Sequence, residues 1–168
     1  MSGLLESVSF TAAREWDEGS GSVAINVLCQ IPPARRYVTG GSQGGDAFLG
    51  LHLARAFPQA WHVVILPANR SQVDPWWELH LLPKPVTVIE MPFGSTYKDR
   101  NQRLVDEATA VYGLPAYPEK DPRSLRSGTW QTIRLSRRAR KLISWCCVQP
   151  PYAGQVERWP SQFPAVAL

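Results

Sequence analysis

Four short stretches of this chain carry residues whose types and spacing suit chemistry on an anion. The first is Thr39-Gly40-Gly41-Ser42-Gln43-Gly44-Gly45-Asp46, lying between a short apolar run, Tyr37-Val38, and a helical pattern. Glycine admits positive φ and removes Cβ, so successive backbone N–H groups can converge on a phosphate. A helix that follows adds the positive end of its dipole. The pattern is neither G-x-G-x-x-G nor a P-loop, since no Gly-Lys-Ser/Thr follows. It names phosphate or sugar as a ligand class and does not name a reaction; the other reading is a tight turn. Asp46 has two readings as well, a cap on its own helix or an acceptor for a ribose or base.

The second stretch, Thr11-Ala12-Ala13-Arg14, ends a first strand with a hydroxyl and a guanidinium, which suit phosphate or carboxylate. The third, Tyr97-Lys98-Asp99-Arg100-Asn101-Gln102-Arg103, begins a helix. Asp99 reads as its cap, Arg100 and Arg103 share a face, and Asn101 both donates and accepts, as a base or sugar requires. The fourth, Arg126-Ser127-Gly128-Thr129, precedes another helix, where Ser127 or Thr129 can cap or meet phosphate. For each stretch the bland alternative is an ordinary loop or a solvated helix face.

These stretches need elements to hold them. Ser7 to Phe10, Tyr37 to Thr39, His62 to Leu66, Val86 to Met91, Ala110 to Leu114 and Leu142 to Val148 read as strands. Ser20 to Gln30, Asp46 to Phe57, Asp99 to Ala108 and Gly128 to Lys141 read as helices. Alternation of this kind predicts an α/β fold with a mostly parallel sheet and helices on both faces. In such folds ligands sit beyond the carboxyl ends of the strands, which would gather the four stretches on one edge. Residues 1–148 form the expected domain, and the proline-rich residues 149–168 an expected tail that packs on the surface or frays.

The 168 residues suit one domain with a real core. A net charge of +4 and a pI near 9.2 fit an anionic ligand and permit nucleic acid without requiring it. No apolar stretch reaches membrane-span length and no secretory signal is apparent. Cys29, Cys146 and Cys147 form no metal or disulfide framework and suit a reducing cytoplasm, packing as small apolar residues. No metal and no cofactor is read from the sequence. His52, His62 and His80 show no ligand spacing. Arg134, Arg137, Arg138, Arg140 and Lys141 make the last helix basic. That is ordinarily a solvated face, with a nucleic-acid surface as the alternative. Trp76 and Trp77 offer a stacking face for a base or cover for core.

Taken together and in order, Phe10 to Arg14, Val38 to Asp46, Tyr97 to Arg103 and Ser127-Gly128-Thr129-Trp130-Gln131-Thr132-Ile133 resemble the SLOG superfamily of Rossmann-like domains. The likeness is greatest to its YspA-type, cpYpsA-related branch, and it spans roughly residues 7 to 148. Relatives include the Lonely Guy phosphoribohydrolases, often misnamed lysine decarboxylases, and the DNA-processing protein DprA. The resemblance implies a Rossmann-like three-layer domain that binds a nucleotide or nucleotide derivative. Its implied ligand contacts are Thr11, Arg14, Gly40, Gly41, Ser42, Gly44, Asp46, Arg100, Asn101, Ser127, Gly128 and Thr129. It further implies a cytoplasmic homodimer serving as a sensor or accessory module in a bacterial or phage system. Two departures stand out. Alanines occupy positions 12 and 13, where the family commonly has Gly-Ser-Arg or Thr-Gly-X-Arg. Thr132 stands where the phosphoribohydrolases carry a glutamate, which removes much of the case for N-glycosidic cleavage. Glu90, near a strand end, is the alternative carboxylate. Nucleotide processing and single-strand nucleic-acid binding remain as the second and third functional classes.

Overall fold

The computed structural model describes residues 4–69, 71, 73 and 86–158. Trp76, Trp77 and His80 lie outside the described residues. In chain order the elements are β1 (Leu5–Ala12), α1 (Glu18–Leu28), β2 (Ala34–Gly40), α2 (Gly45–Ala56), β3 (Trp61–Leu66) and β4 (Thr87–Glu90). They continue with α3 (Tyr97–Asp106), β5 (Ala110–Leu114), a short 3-10 helix (Pro122–Arg126), α4 (Gly128–Arg138), β6 (Leu142–Cys146) and β7 (Val156–Arg158). The sheet runs β4-β3-β2-β1-β5-β6-β7. Its first six strands are parallel, and β7 pairs antiparallel to β6. This is the expected Rossmann-like three-layer α/β fold.

The alternation of β1 explains how both faces are covered. Val8 and Phe10 point to one side and join Tyr37 and Tyr112 in a core that takes in Ala24 and Val27 of α1 and Leu49 and Leu53 of α2. Each larger apolar side chain among them, such as Val8, Phe10, Leu49 or Leu53, contributes about 1.5–3 kcal/mol when fully removed from water, before entropy is charged against it. Ser7 and Ser9 point to the other side. Their small hydroxyls let α3 lie close, Ser9 Oγ donating to the Leu104 carbonyl at 2.5 Å and Ser7 Oγ to that of Glu107 at 2.8 Å. Leu104 packs there on Val38, Val63 and Ile65. Farther along the same face Trp130 and Ile133 of α4 meet Ile143 and Trp145. Cys146 and Cys147 fall into opposite cores. Burial pushes their thiols up to about 11 and about 12, as inert packing groups.

Helix ends differ from the expected bounds for identifiable reasons. Asp17, not Ser20, starts α1: Asp17 accepts the Ser20 N–H at 2.8 Å and Ser20 Oγ faces back to the Asp17 N–H, a capping box. Thr96 rather than Asp99 caps α3, and Asp99 is the third-residue partner of that box. The last helix stops at Arg138. Arg140 adopts φ 55, and the N–H groups of Lys141 and Arg140 close on the carbonyls of Ser136 and Arg137 in a Schellman stop. The segment after residue 148 is not merely a tail. Gly154 and Gln155 exchange backbone hydrogen bonds with Cys147 at 2.9 Å, and Val156–Arg158 extends the sheet.

Glu107, just past α3, ties that helix to the sheet. Its carboxylate takes Arg36 Nη2 of β2 and Arg103 Nε, each at 2.7 Å. The Arg36 hydrogen bond, opposed by partial burial and helped by Arg103, holds the Glu107 carboxyl below its ordinary value. A folded-state value below the unfolded one gives stability that is present above the unfolded value and lost as pH falls through the folded one. Thermal melts should therefore show a fall in midpoint as pH drops below about 4.5, the ordinary glutamate range. Glu107→Gln should lower the neutral-pH midpoint and flatten part of that fall. An unchanged pH profile in the variant would show that the Glu107 junction adds nothing.

Candidate functional site

The chain leaves β1 toward one face of the sheet, through α1, and leaves β5 toward the other, through α4. Strands β1 and β5 are neighbours, so a crevice opens between them at their carboxyl ends, where doubly wound sheets have their topological switch point. A cavity of about 630 Å³ occupies it. Its inner wall is built from Thr11 to Glu15 at the end of β1 and just beyond it, Ser42 after β2, Asp46 of α2, and Tyr97 and Arg100 of α3. Its outer wall comes from Ala116 and Tyr117 after β5, the 3-10 helix, and the first turn of α4 from Ser127 to Gln131. Of the expected ligand contacts, Thr11, Arg14, Ser42, Asp46, Arg100, Ser127, Gly128 and Thr129 line this cavity. Gly40, Gly41, Gly44 and Asn101 do not.

The glycine loop is the main correction. Its missing side chains make room for protein, not for a ligand. A Cβ on Gly40 would collide with the Arg100 guanidinium and the Asp46 carboxylate, and one on Gly41 with Leu66. Gly44, at φ 89, presses against the Arg14 backbone, where a Cβ would lie 2.5 Å from the carbonyl oxygen. The Gly45 N–H, which opens α2, is already taken by the Ala13 carbonyl at 2.9 Å. The loop therefore clamps the β1 and β2 ends together.

Asp46 is not a cap either; the N-cap of α2 is Gly44, with no side-chain cap bond. Asp46 is 4% exposed. Its Oδ1 accepts the Ala12 N–H at 3.1 Å, and its Oδ2 meets Arg100 Nη1 at 3.3 Å. Burial raises its carboxyl above the ordinary value, against the pull of Arg100, the Ala12 N–H and Arg14. Arg100 Nη2 donates to Ser42 Oγ at 3.4 Å, while its Nε is buried with no acceptor among the described residues. The Tyr97 ring lies against two guanidiniums, Arg14 at 4.9 Å and Arg100 at 5.3 Å from its centre. Arg103, expected on the same face as Arg100, instead serves Glu107.

At the start of α4, Ser127 Oγ accepts the Trp130 N–H at 3.2 Å, so Ser127 is the cap. The N–H groups of Gly128 and Thr129 stand in the first turn, which has no intrahelical acceptor, and both residues line the cavity. Asn101 lies behind them, its Nδ2 donating to Gln131 Oε1 at 2.8 Å and to the Gly128 carbonyl at 3.4 Å. It joins α3 to α4 and is not presented to the cavity. Thr132 is fully buried and donates to the Gly128 carbonyl at 3.0 Å. Glu90, at the end of β4, is not part of the cavity wall.

Four arginines line the cavity, Arg14, Arg100, Arg123 and Arg126, against the carboxylates of Asp46 and Glu15. Arg100 is committed to Asp46, and Arg123 to Asp121 at 2.8 Å. Arg14 and Arg126, both exposed, carry the uncommitted positive charge. The basic face of α4 is partly spent: Arg134 and Arg137 both pair with Glu119, at 3.4 and 2.7 Å. His62 faces the Phe57 carbonyl at 2.8 Å, away from the cavity wall. Among the described residues no cluster of His, Cys, Asp and Glu could hold a metal, and no helix is long and apolar enough to cross a membrane.

Sequence reading missed the 3-10 wall and Tyr97. Arg123 and Leu125 sit in five residues with no hydrophobic period, although Asp121-Pro122 is a helix-start signal. Neither a protein-family model nor a curated protein matches this chain.

Two substitutions separate packing from cavity in this loop set. Gly40→Ala should destabilise the protein by about 1–3 kcal/mol through overpacking against a buried ion pair. Gly128→Ala should leave chemical denaturation nearly unchanged, since its Cβ would meet nothing nearer than Asn101 Nδ2 at 3.7 Å. Arg100→Ala should cost about 3–5 kcal/mol, because it strands the Asp46 charge. Equal stability of the Gly40 and Gly128 variants would refute the clamp.

Proposed function

We propose that this protein binds a nucleotide or nucleotide-derived anion in the switch-point cavity, as a sensing or accessory module. One observation carries the reading. Residues from all four stretches, separated by up to more than a hundred positions in the chain, line a single cavity. The support is physical. Arg14 and Arg126 supply charge, and the first-turn amides of α4 supply donors at the positive end of a helix dipole. The volume suits a ligand larger than a lone phosphate. The resemblance to SLOG domains points to the same ligand class, and with it to the cytoplasmic, bacterial or phage setting and the homodimer expected of them.

Cleavage of a nucleotide is the weaker reading, since Thr132 is sealed in the core and Asp46 has both oxygens engaged. Binding of single strands is weaker too, because Arg134 and Arg137 are tied to Glu119.

Mass spectrometry of small molecules released by denaturing the purified protein should reveal a phosphorylated metabolite. Nucleotides of that class should raise the melting temperature, as a ligand selective for the folded state must. Arg14→Ala and Arg126→Ala should each weaken binding roughly tenfold, the range of one charge-assisted contact, with the melting temperature of the free protein unchanged. The proposal fails if no nucleotide shifts the melt and nothing copurifies, or if both arginine variants bind as the wild type does.

A further inference from the structure

The outer wall of the cavity contains a flat, immobilised cation. Arg123 lies over the Tyr117 ring with its guanidinium carbon 3.4 Å from the ring centre, in direct contact with the ring face. One edge of the same guanidinium forks onto Asp121, Nε to Oδ1 at 3.0 Å and Nη2 to Oδ2 at 2.8 Å. Asp121 also accepts the Arg123 backbone N–H at 3.0 Å. The Arg123 side-chain bonds, with that N–H, hold the Asp121 carboxyl down to about 2, so the fork persists at neutral and mildly acidic pH. The stack is anchored from beneath as well. The Tyr117 carbonyl accepts the indole N–H of buried Trp130 at 2.7 Å, and buried Ser124 donates to the Glu119 carbonyl at 2.7 Å.

An arginine side chain that is 58% exposed ordinarily keeps its rotamer freedom. Here the fork and the ring have already fixed its plane, and among the described residues no second ring covers its other face. Both Tyr117 and Arg123 line the cavity, and beside them stands Leu125, 78% exposed, an apolar side chain on the same wall. A planar cation backed by an aromatic ring, with an apolar neighbour, suits a flat π-system rather than a phosphate. Preorganisation of this kind lowers the ordering cost of binding.

From this we infer that the Arg123–Tyr117 stack, with Leu125 at its side, is a base-stacking subsite, so that the ligand carries an aromatic base at the outer wall and its anionic group at Arg14, Arg126 and the start of α4. The inference rests on the nucleotide reading above and adds which residues hold the base. Lysine at position 123 would keep the charge and lose the plane.

The test compares AMP, GMP, CMP and UMP with ribose 5-phosphate, which has the same anion and no base, by titration calorimetry. On wild-type protein the best nucleotide should bind roughly tenfold or more tightly than ribose 5-phosphate, within the range of one stacked base. In Arg123→Lys that ratio should fall to about one, with ribose 5-phosphate affinity unchanged. Leu125→Ala, exposed and without a packing role, should lower nucleotide affinity alone and keeps the comparison readable if the Arg123 variant unfolds. A ratio near one on the wild type, or a full ratio retained in both variants, overturns the subsite and leaves the anion site standing. No binding of either ligand class to the wild type overturns the anion site and the subsite together.

Discussion

The buried pair of Asp46 and Arg100 is the constraint on which the site depends. Asp46 belongs to α2 and Arg100 to α3, and these helices cover opposite faces of the sheet. The sheet separates them everywhere except beyond its edge. There the end of β2 carries Gly40, and the guanidinium passes through the space a Cβ would fill. A buried pair of this kind is a poor source of net stability. It makes one contact at 3.3 Å, not a bidentate fork, and leaves Nε without an acceptor among the described residues. Its value lies in position. Asp46 Oδ1 holds the Ala12 amide and so the loop after β1, Arg100 Nη2 holds Ser42, and the Arg100 guanidinium supports the Tyr97 ring. Each component of the inner cavity wall is located by reference to that one contact.

What was legible in the chain follows from the range of the interactions involved. The six parallel strands and four helices announce themselves through local patterns, β-branched runs such as His62 to Leu66 and spaced apolar residues such as Leu135 and Ala139. Capping boxes shifted two helix starts by two residues, which is the reach of a side chain hydrogen bond along the chain. Strand β7 escaped notice because three residues, Val156 to Arg158, between prolines carry no period; only the exposed edge of β6 tells them what to do. The glycine loop stands out in the sequence, but its packing partners do not. Composition shows that side chains are missing. It does not show what fills the space, and the occupant of Gly40's is an arginine far along the sequence. The partner of Asn101 is hidden from the sequence for the same reason: its amide donates to Gln131 on a neighbouring helix.

The two cavity walls are held by different physics. The inner wall depends on long-range contacts between layers, so it is only as firm as the packing of α2 and α3 against the sheet. The outer wall is stiffened by contacts among residues 117 to 134, within one loop and the helix that follows it. A local framework keeps its geometry when the layers breathe, and a layered one does not. Charge that is free to meet a ligand, on Arg14 and Arg126, comes one from each wall. A ligand bridging the two would therefore tie the layered part of the site to the locally rigid part and restrict their relative motion, a coupling suited to sensing.

The same pair bears on chemistry. A carboxylate serving as general base or stabilising an oxocarbenium ion must present a lone pair to the substrate. Asp46 has one oxygen on the Ala12 amide and the other on Arg100, so its use in catalysis would have to undo the joint between α2 and α3 that shapes the cavity. Glu15, the other carboxylate on the wall, is exposed, and no described residue orients its carboxylate through a hydrogen bond. Thr132 is sealed in the core, its hydroxyl turned back on the Gly128 carbonyl. The proposed binding of an anion would use this arrangement as it stands. Hydrolysis would have to dismantle it first, and that difference in cost is the reason for preferring a receptor.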